Sequence, residues 1–158
     1  MDSRVSLFLN RADNELLAAR TLYRISIDEQ RKIAFQLPSR ITFYSSVISR
    51  AYYSIFYCTQ AYLQSKRISI SSKQGQHQQV YSAFKRLVMG GIVSKDLLVL
   101  YDSVRIKAEL LLSIFHNERR KRSQFTYETL PEANRSPAEE SLRQAFLFVS
   151  PLKQLLRY

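Results

Sequence analysis

Between Ser39 and Lys66 the chain is apolar on nearly every helical face, and an arginine stands in its middle. Ile41, Phe43, Tyr44, Val47, Ile48, Ala51, Tyr52, Ile55, Phe56, Cys58, Tyr62 and Leu63 leave no face of such a helix fully polar. A helix of that kind belongs at the centre of a bundle or at a subunit interface. A charged side chain within it is costly unless it is paired or faces a polar space. Projected at 3.6 residues per turn, Arg50 shares an arc of roughly 100° with Thr42, Ser46, Ser49, Tyr53, Tyr57, Gln60 and Gln64. The arginine is therefore expected on a narrow polar seam.

The rest of the chain also reads as helix. Three glycines and four prolines in 158 residues leave few breaks. A first helix is predicted over 3–23 from Val5, Leu9, Ala12, Leu16, Ala19 and Tyr23, spaced by three and four. Residues 25–39 read as a connection or short extra helix closed by Pro38, without a functional assignment. The apolar stretch 39–66 is the second helix. A third is predicted over 76–89, ended by Gly90-Gly91. A fourth is predicted over 95–122, capped by Ser94, with a break expected near His116-Asn117. Ser136-Pro137-Ala138-Glu139 reads as a capping box opening a fifth helix that Pro151 should kink. The length suits one domain over 1–158, an all-α, mostly antiparallel bundle of about five helices.

Charge distribution narrows the partners. The net charge is +11, and the segment 30–95 carries ten lysines and arginines without one aspartate or glutamate. Such a field attracts polyanions. A second basic element, Arg119-Arg120-Lys121-Arg122, follows the long fourth helix, with Phe125 and Tyr127 close behind. The helix dipole accounts for one or two cations there; four in a row repel one another and favour an anion. Arginine's planar fork suits phosphate oxygens, and aromatic rings suit bases.

Other chemistries find little support. Cys58 is the only cysteine, so no internal disulfide or multi-cysteine zinc site is available, and its apolar neighbours suit a buried thiol. His77 and His116 have no ligand partner at helical spacing, and no metal or other cofactor is implied. His77, at a helix start, reads as a surface or hydrogen-bonding residue. The sequence holds no phosphate-binding glycine loop. A polar N-terminus and the absence of any run of roughly 18 apolar residues give the expectation of a cytoplasmic protein without membrane contact.

Several of these elements together resemble one family. Ser49-Arg50-Ala51-Tyr52-Tyr53-Ser54-Ile55-Phe56 is similar to the Ser-Arg-Ala-Tyr-Tyr signature of the small prokaryotic HEPN proteins of the toxin- and defence-associated type. Ala12-Asp13-Asn14-Glu15-Leu16-Leu17-Ala18-Ala19 looks like that family's opening helix, and Gly75-Gln76-His77 sits where it often has a histidine. Arg122-Ser-Gln-Phe-Thr-Tyr127 resembles its Arg-x-x-Ala-Asp-Tyr element, with Phe125 and Thr126 in place of Ala-Asp. Ser136-Pro137-Ala138-Glu139-Glu140, followed by Leu142, Ala145 and Phe146, looks like its final helix. The resemblance spans nearly the whole chain.

The resemblance implies a bundle that dimerises through its second and fourth helices, with RNA or a nucleotide as ligand. Two activities are implied. One is metal-independent endoribonuclease action as a toxin or defence effector. The other is a non-catalytic nucleotide-binding or interaction module that partners a small nucleotidyltransferase antitoxin. On the first reading Arg122 and Tyr127 are catalytic, and Arg50, Tyr53, Arg119, Arg120 and Lys121 contact phosphate or nucleic acid. The ribonuclease members carry an arginine, four to six intervening residues, then a histidine; here four residues separate Arg122 from Tyr127, which occupies that place. Tyrosine, with an ordinary pKa near 10, is a poor base at neutral pH, although clustered arginines favour its phenolate.

Overall fold

The structure, a computed structural model, describes residues 2–71, 74–121 and 135–156, with 112–121 described by their backbone alone. Its helices are α1 (Ser3–Ile27), α2 (Glu29–Ala34), α3 (Tyr44–Ser65), α4 (Gln76–Met89), α5 (Lys95–Lys121) and α6 (Arg135–Gln154), and no strand occurs among the described residues. The all-α bundle expected from the sequence is what forms.

The predicted second helix, now α3, is the axis. Its most extensive packing is against α1, then against α6, with α5 and α4 closing the remaining sides. That arrangement explains an apolar circumference without invoking a second molecule: four helices of the same chain cover it. Ala12 and Ala19 of α1 and Ala51 of α3 are completely buried, which lets the two backbones approach closely. Cys58 is also fully buried, and its thiol is pushed up to about 12 by that burial.

A second knot ties α4, α5 and α6. Tyr101, fully buried, has the rings of Tyr81, Phe84 and Phe148 at 5.4, 5.8 and 5.6 Å between centroids. Such aromatic pairs contribute about 0.5–1.5 kcal/mol each beyond the area they bury. Arg105 lies over the Tyr81 ring at 3.8 Å, anchoring the outer edge of the knot. Lys107 on α5 bonds Glu140 and Gln144 on α6, both at 3.1 Å. Lys153 at the end of α6 meets Asp13 of α1 at 2.7 Å.

Helix boundaries differ from expectation in instructive ways. The first helix continues past Tyr23 to Ile27. Ser26, buried, donates to the Leu22 carbonyl at 2.7 Å and accepts the Phe43 amide at 2.8 Å, so the extension is held by a bond to a distant segment. Asp28 then ends α1 and caps α2, accepting from the Arg31 amide. The central helix starts at Tyr44, five residues later than predicted. Residues 38–41 instead form a turn in which the Ile41 amide reaches the Pro38 carbonyl. Lys32 is buried against that turn and donates to the Ser39 carbonyl at 2.6 Å.

The glycine stop after α4 forms as predicted. Gly91 takes φ +75°, with bonds from Gly91 to Val88 and from Ile92 to Leu87. Arg67 adopts φ +59° at the same place after α3, where the pattern is identical but no glycine announces it. Ser94 caps α5 through the Asp96 amide, as expected. Two expectations fail. The backbone of α5 stays helical through His116-Asn117 to Lys121. Helix α6 begins at Arg135, so Ser136 lies inside it rather than capping it.

Candidate functional site

Arg50 emerges from α3 toward α1, with its side chain 45% exposed, and its Nη1 donates to Glu15 Oε2 at 2.8 Å. The pair stands at a cleft of about 420 Å³ lined by Glu15, Ser45, Ser46, Ser49, Arg50, Tyr53 and Tyr57. All but Glu15 come from one side of α3. This is the polar seam read from the helical projection, and the structure brings Arg50, Tyr53 and Tyr57 together as expected. The seam is shorter than projected. Gln60 is buried, Gln64 is turned to Asp2 at the start of α1, and Thr42 precedes the helix.

The tyrosines form the floor. Tyr53 and Tyr57 lie nearly parallel, 6.1 Å apart. Arg11 from α1 sits over Tyr57 at 5.5 Å, and Phe8 stacks on the same ring. Tyr53, 38% exposed, lines the cleft. Its other ring contacts are Tyr52, Phe56 and His77, at 5.7, 6.3 and 5.7 Å.

His77 thus flanks the cleft one ring away. It stacks on Phe56 at 4.1 Å, and its Nδ1 is hydrogen-bonded to the Tyr52 hydroxyl at 2.9 Å. Burial pushes the Tyr52 phenol up to about 12. The phenol therefore stays protonated at neutral pH, and the imidazole tautomer sets which of the two groups donates in this bond. Burial of its ring also lowers the His77 pKa from the ordinary value. The histidine is what the sequence suggested, a hydrogen-bonding residue at a helix start. Its partners are tyrosines of α3.

Arg119, Arg120 and Lys121 form the last turn of α5, known here by backbone position alone. Arg122 and Tyr127 lie outside the described residues. Their relation to the Arg50 cleft therefore remains an expectation of the sequence. Among the described residues no group of three or more His, Cys, Asp or Glu is assembled to hold a metal ion. Nor, among those residues, is any helix long and apolar enough to cross a membrane.

Glu15 is the site residue that sequence reasoning missed, and a signal for it existed. Arg50 lies in a segment, 30–95, that holds no acid. Its counter-ion had to come from outside that segment, and Asp13 and Glu15 stood one turn from the stripe of the first helix.

No family model, curated protein or solved structure matches this chain.

Proposed function

We propose that this chain is a HEPN-type helical protein that binds RNA or a nucleotide, with the α1–α3 cleft as part of its binding surface. The observation that carries the reading is the company Arg50 keeps. A half-exposed arginine, an exposed tyrosine ring and three serine hydroxyls converge on one cleft of nucleotide size. Pockets of about 300–1,000 Å³ accept small ligands, and an aromatic face with basic neighbours is the usual platform for a base in a single strand. The +11 charge supplies long-range attraction.

On this proposal Arg119, Arg120, Lys121 and Arg122 hold phosphate, while Arg50 and Tyr53 support the strand from α3. Where RNA is cleaved, Arg122 stabilises the crowded phosphate and Tyr127 is the acid–base or positioning group. A general base contributes about 10²–10⁴ in rate, so replacing the family histidine by tyrosine predicts slow cleavage. The toxin or defence role follows from the same resemblance, as does a homodimer through α3 and α5. In that homodimer, α5 would offer a second copy the exposed apolar side chains Val99, Ile106 and Leu110. Docking of a nucleotidyltransferase through the tyrosines of α3 is less well supported. Tyr44 and Tyr62 are buried, Tyr52 and Tyr57 are partly buried, and Tyr53 alone of that helix's tyrosines is exposed.

The test is incubation of end-labelled structured and single-stranded RNA with the purified protein in EDTA, alongside Arg122→Ala. Cleavage that the folded variant lacks supports the ribonuclease reading. Binding without cleavage leaves the binding module. Neither binding nor cleavage by a folded wild-type protein refutes the proposal.

A further inference from the structure

The Arg50–Glu15 pair does more than neutralise a charge. Glu15 is the one acid among the cleft-lining residues, and it sits beside Arg50 within reach of the same bound group. Its Oε2 accepts from Arg50, while Oε1 forms no hydrogen bond among the described residues. The pair therefore shows a ligand a donor edge and an acceptor edge side by side. Next to it lies the partly exposed Tyr53, held in place by the rings of Tyr52, Phe56, Tyr57 and His77.

We propose that this cleft recognises guanine, stacked on Tyr53, with Glu15 accepting from the base's N1–H and N2–H and Arg50 donating to its O6. The proposal rests on the nucleotide-binding reading above and names the base that the site selects. Guanine alone among the four RNA bases carries two adjacent N–H donors on its Watson–Crick edge. A carboxylate, acceptor on both oxygens, matches that pair twice. Guanine also places the O6 acceptor next to those donors, where the guanidinium stands, as arginine commonly contacts guanine. Adenine, cytosine and uracil each offer one donor group on that edge, and each would make one bond fewer to the carboxylate than guanine does.

The role of Glu15 also resolves an awkwardness in a basic surface. An acid beside the arginine is a liability for a site that only holds phosphate, because it repels the ligand. It becomes an asset when the arginine and the acid read the base and the phosphates lie on other cations. Arg11, over the Tyr57 ring at the floor of the cleft, is one such cation.

The test uses the whole protein and five probes. Binding is measured for GMP, IMP and AMP, and for labelled single-stranded 12-mers with and without guanine. The nucleotides and the oligomers separate a free guanine nucleotide from guanine within a strand. The proposal expects guanine ligands to bind about tenfold more tightly than adenine ligands, the low end for a good bidentate contact. IMP, which lacks the N2 amine, should lose most of that advantage in the unaltered protein. Glu15→Gln should bring guanine and adenine ligands within about twofold of each other, with helicity by circular dichroism unchanged and adenine binding retained. Equal affinity of the wild type for guanine-containing and guanine-free ligands would overturn guanine recognition and leave nucleic-acid binding intact. A preference that survives Glu15→Gln would also overturn it. Failure to bind any probe would remove both readings.

Discussion

Arg50 Nη1 and Glu15 Oε2, 35 positions apart in sequence, lie 2.8 Å apart across the α1–α3 interface. The contact is partly solvated, with side-chain exposures of 45% and 23%. Pairs of that kind stabilise by about 0.2–1 kcal/mol at most. A double-mutant cycle of Arg50→Ala and Glu15→Ala in urea should therefore give a coupling energy below ~1 kcal/mol. Each single variant should remain folded. A coupling of several kcal/mol would make the pair a structural element of the bundle and weaken its assignment to binding.

The contact between His77 and Tyr52 carries a pH signature. The folded protein lowers the His77 pKa below its unfolded value, by burial. The unfolded chain then binds more protons across the window between the two values. The His77 contribution is complete above the unfolded value of about 6.5 and is lost as pH falls from there through the folded value. Urea midpoints at pH 7.5, 6.5 and 5.5 should decline for the wild type. They should decline less for His77→Phe, which keeps the stack on Phe56 without a titrating nitrogen. Identical pH slopes in the two proteins would contradict this account.

Much of the fold was legible because periodicity and capping act locally. The third helix was readable to the residue, and Ser94 and the double glycine acted as expected. What escaped were features decided by partners distant in sequence. Nothing around Tyr23 signals that Ser26 will bond Phe43, yet that bond carries α1 one turn further and fixes where the chain turns toward α3. Arg67 in the left-handed region escaped because no glycine marks it, although the bonds that close the helix there, to Gln64 and Leu63, are local. At the site, the arc on α3 was visible in a helical projection. Glu15 and Arg11 arrive from another helix, and no projection of α3 alone contains them.

Ser26→Ala tests the long-range bond directly. The substitution leaves the Phe43 amide without its acceptor while removing almost no volume. An unpaired buried backbone donor costs about 1–3 kcal/mol. Chemical denaturation should show a loss in that range, and amide exchange should quicken at Phe43 before the core of α3. A stability unchanged within error would mean that water replaces the hydroxyl.

Association through α3 and α5 should depend on the apolar side chains that α5 exposes. Light scattering at micromolar concentration should give the mass of a dimer for the wild type. Ile106→Glu together with Leu110→Glu should give a folded monomer, because both side chains are more than half exposed in the protomer. A monomeric wild type would remove the dimer from the proposal and leave the protomer's fold as described.

The central claim is that the Arg50 cleft binds nucleic acid, and fluorescence anisotropy with a labelled single-stranded RNA tests it most directly. Wild type, Arg50→Ala and Tyr53→Ala should be compared at two salt concentrations in EDTA. The account predicts that each variant, with unchanged helicity, binds at least about tenfold more weakly than wild type. It also predicts that Tyr53→Ala keeps the salt dependence, since stacking is lost while the charges remain. Variants that bind as tightly as wild type would contradict it and move the binding surface away from the cleft.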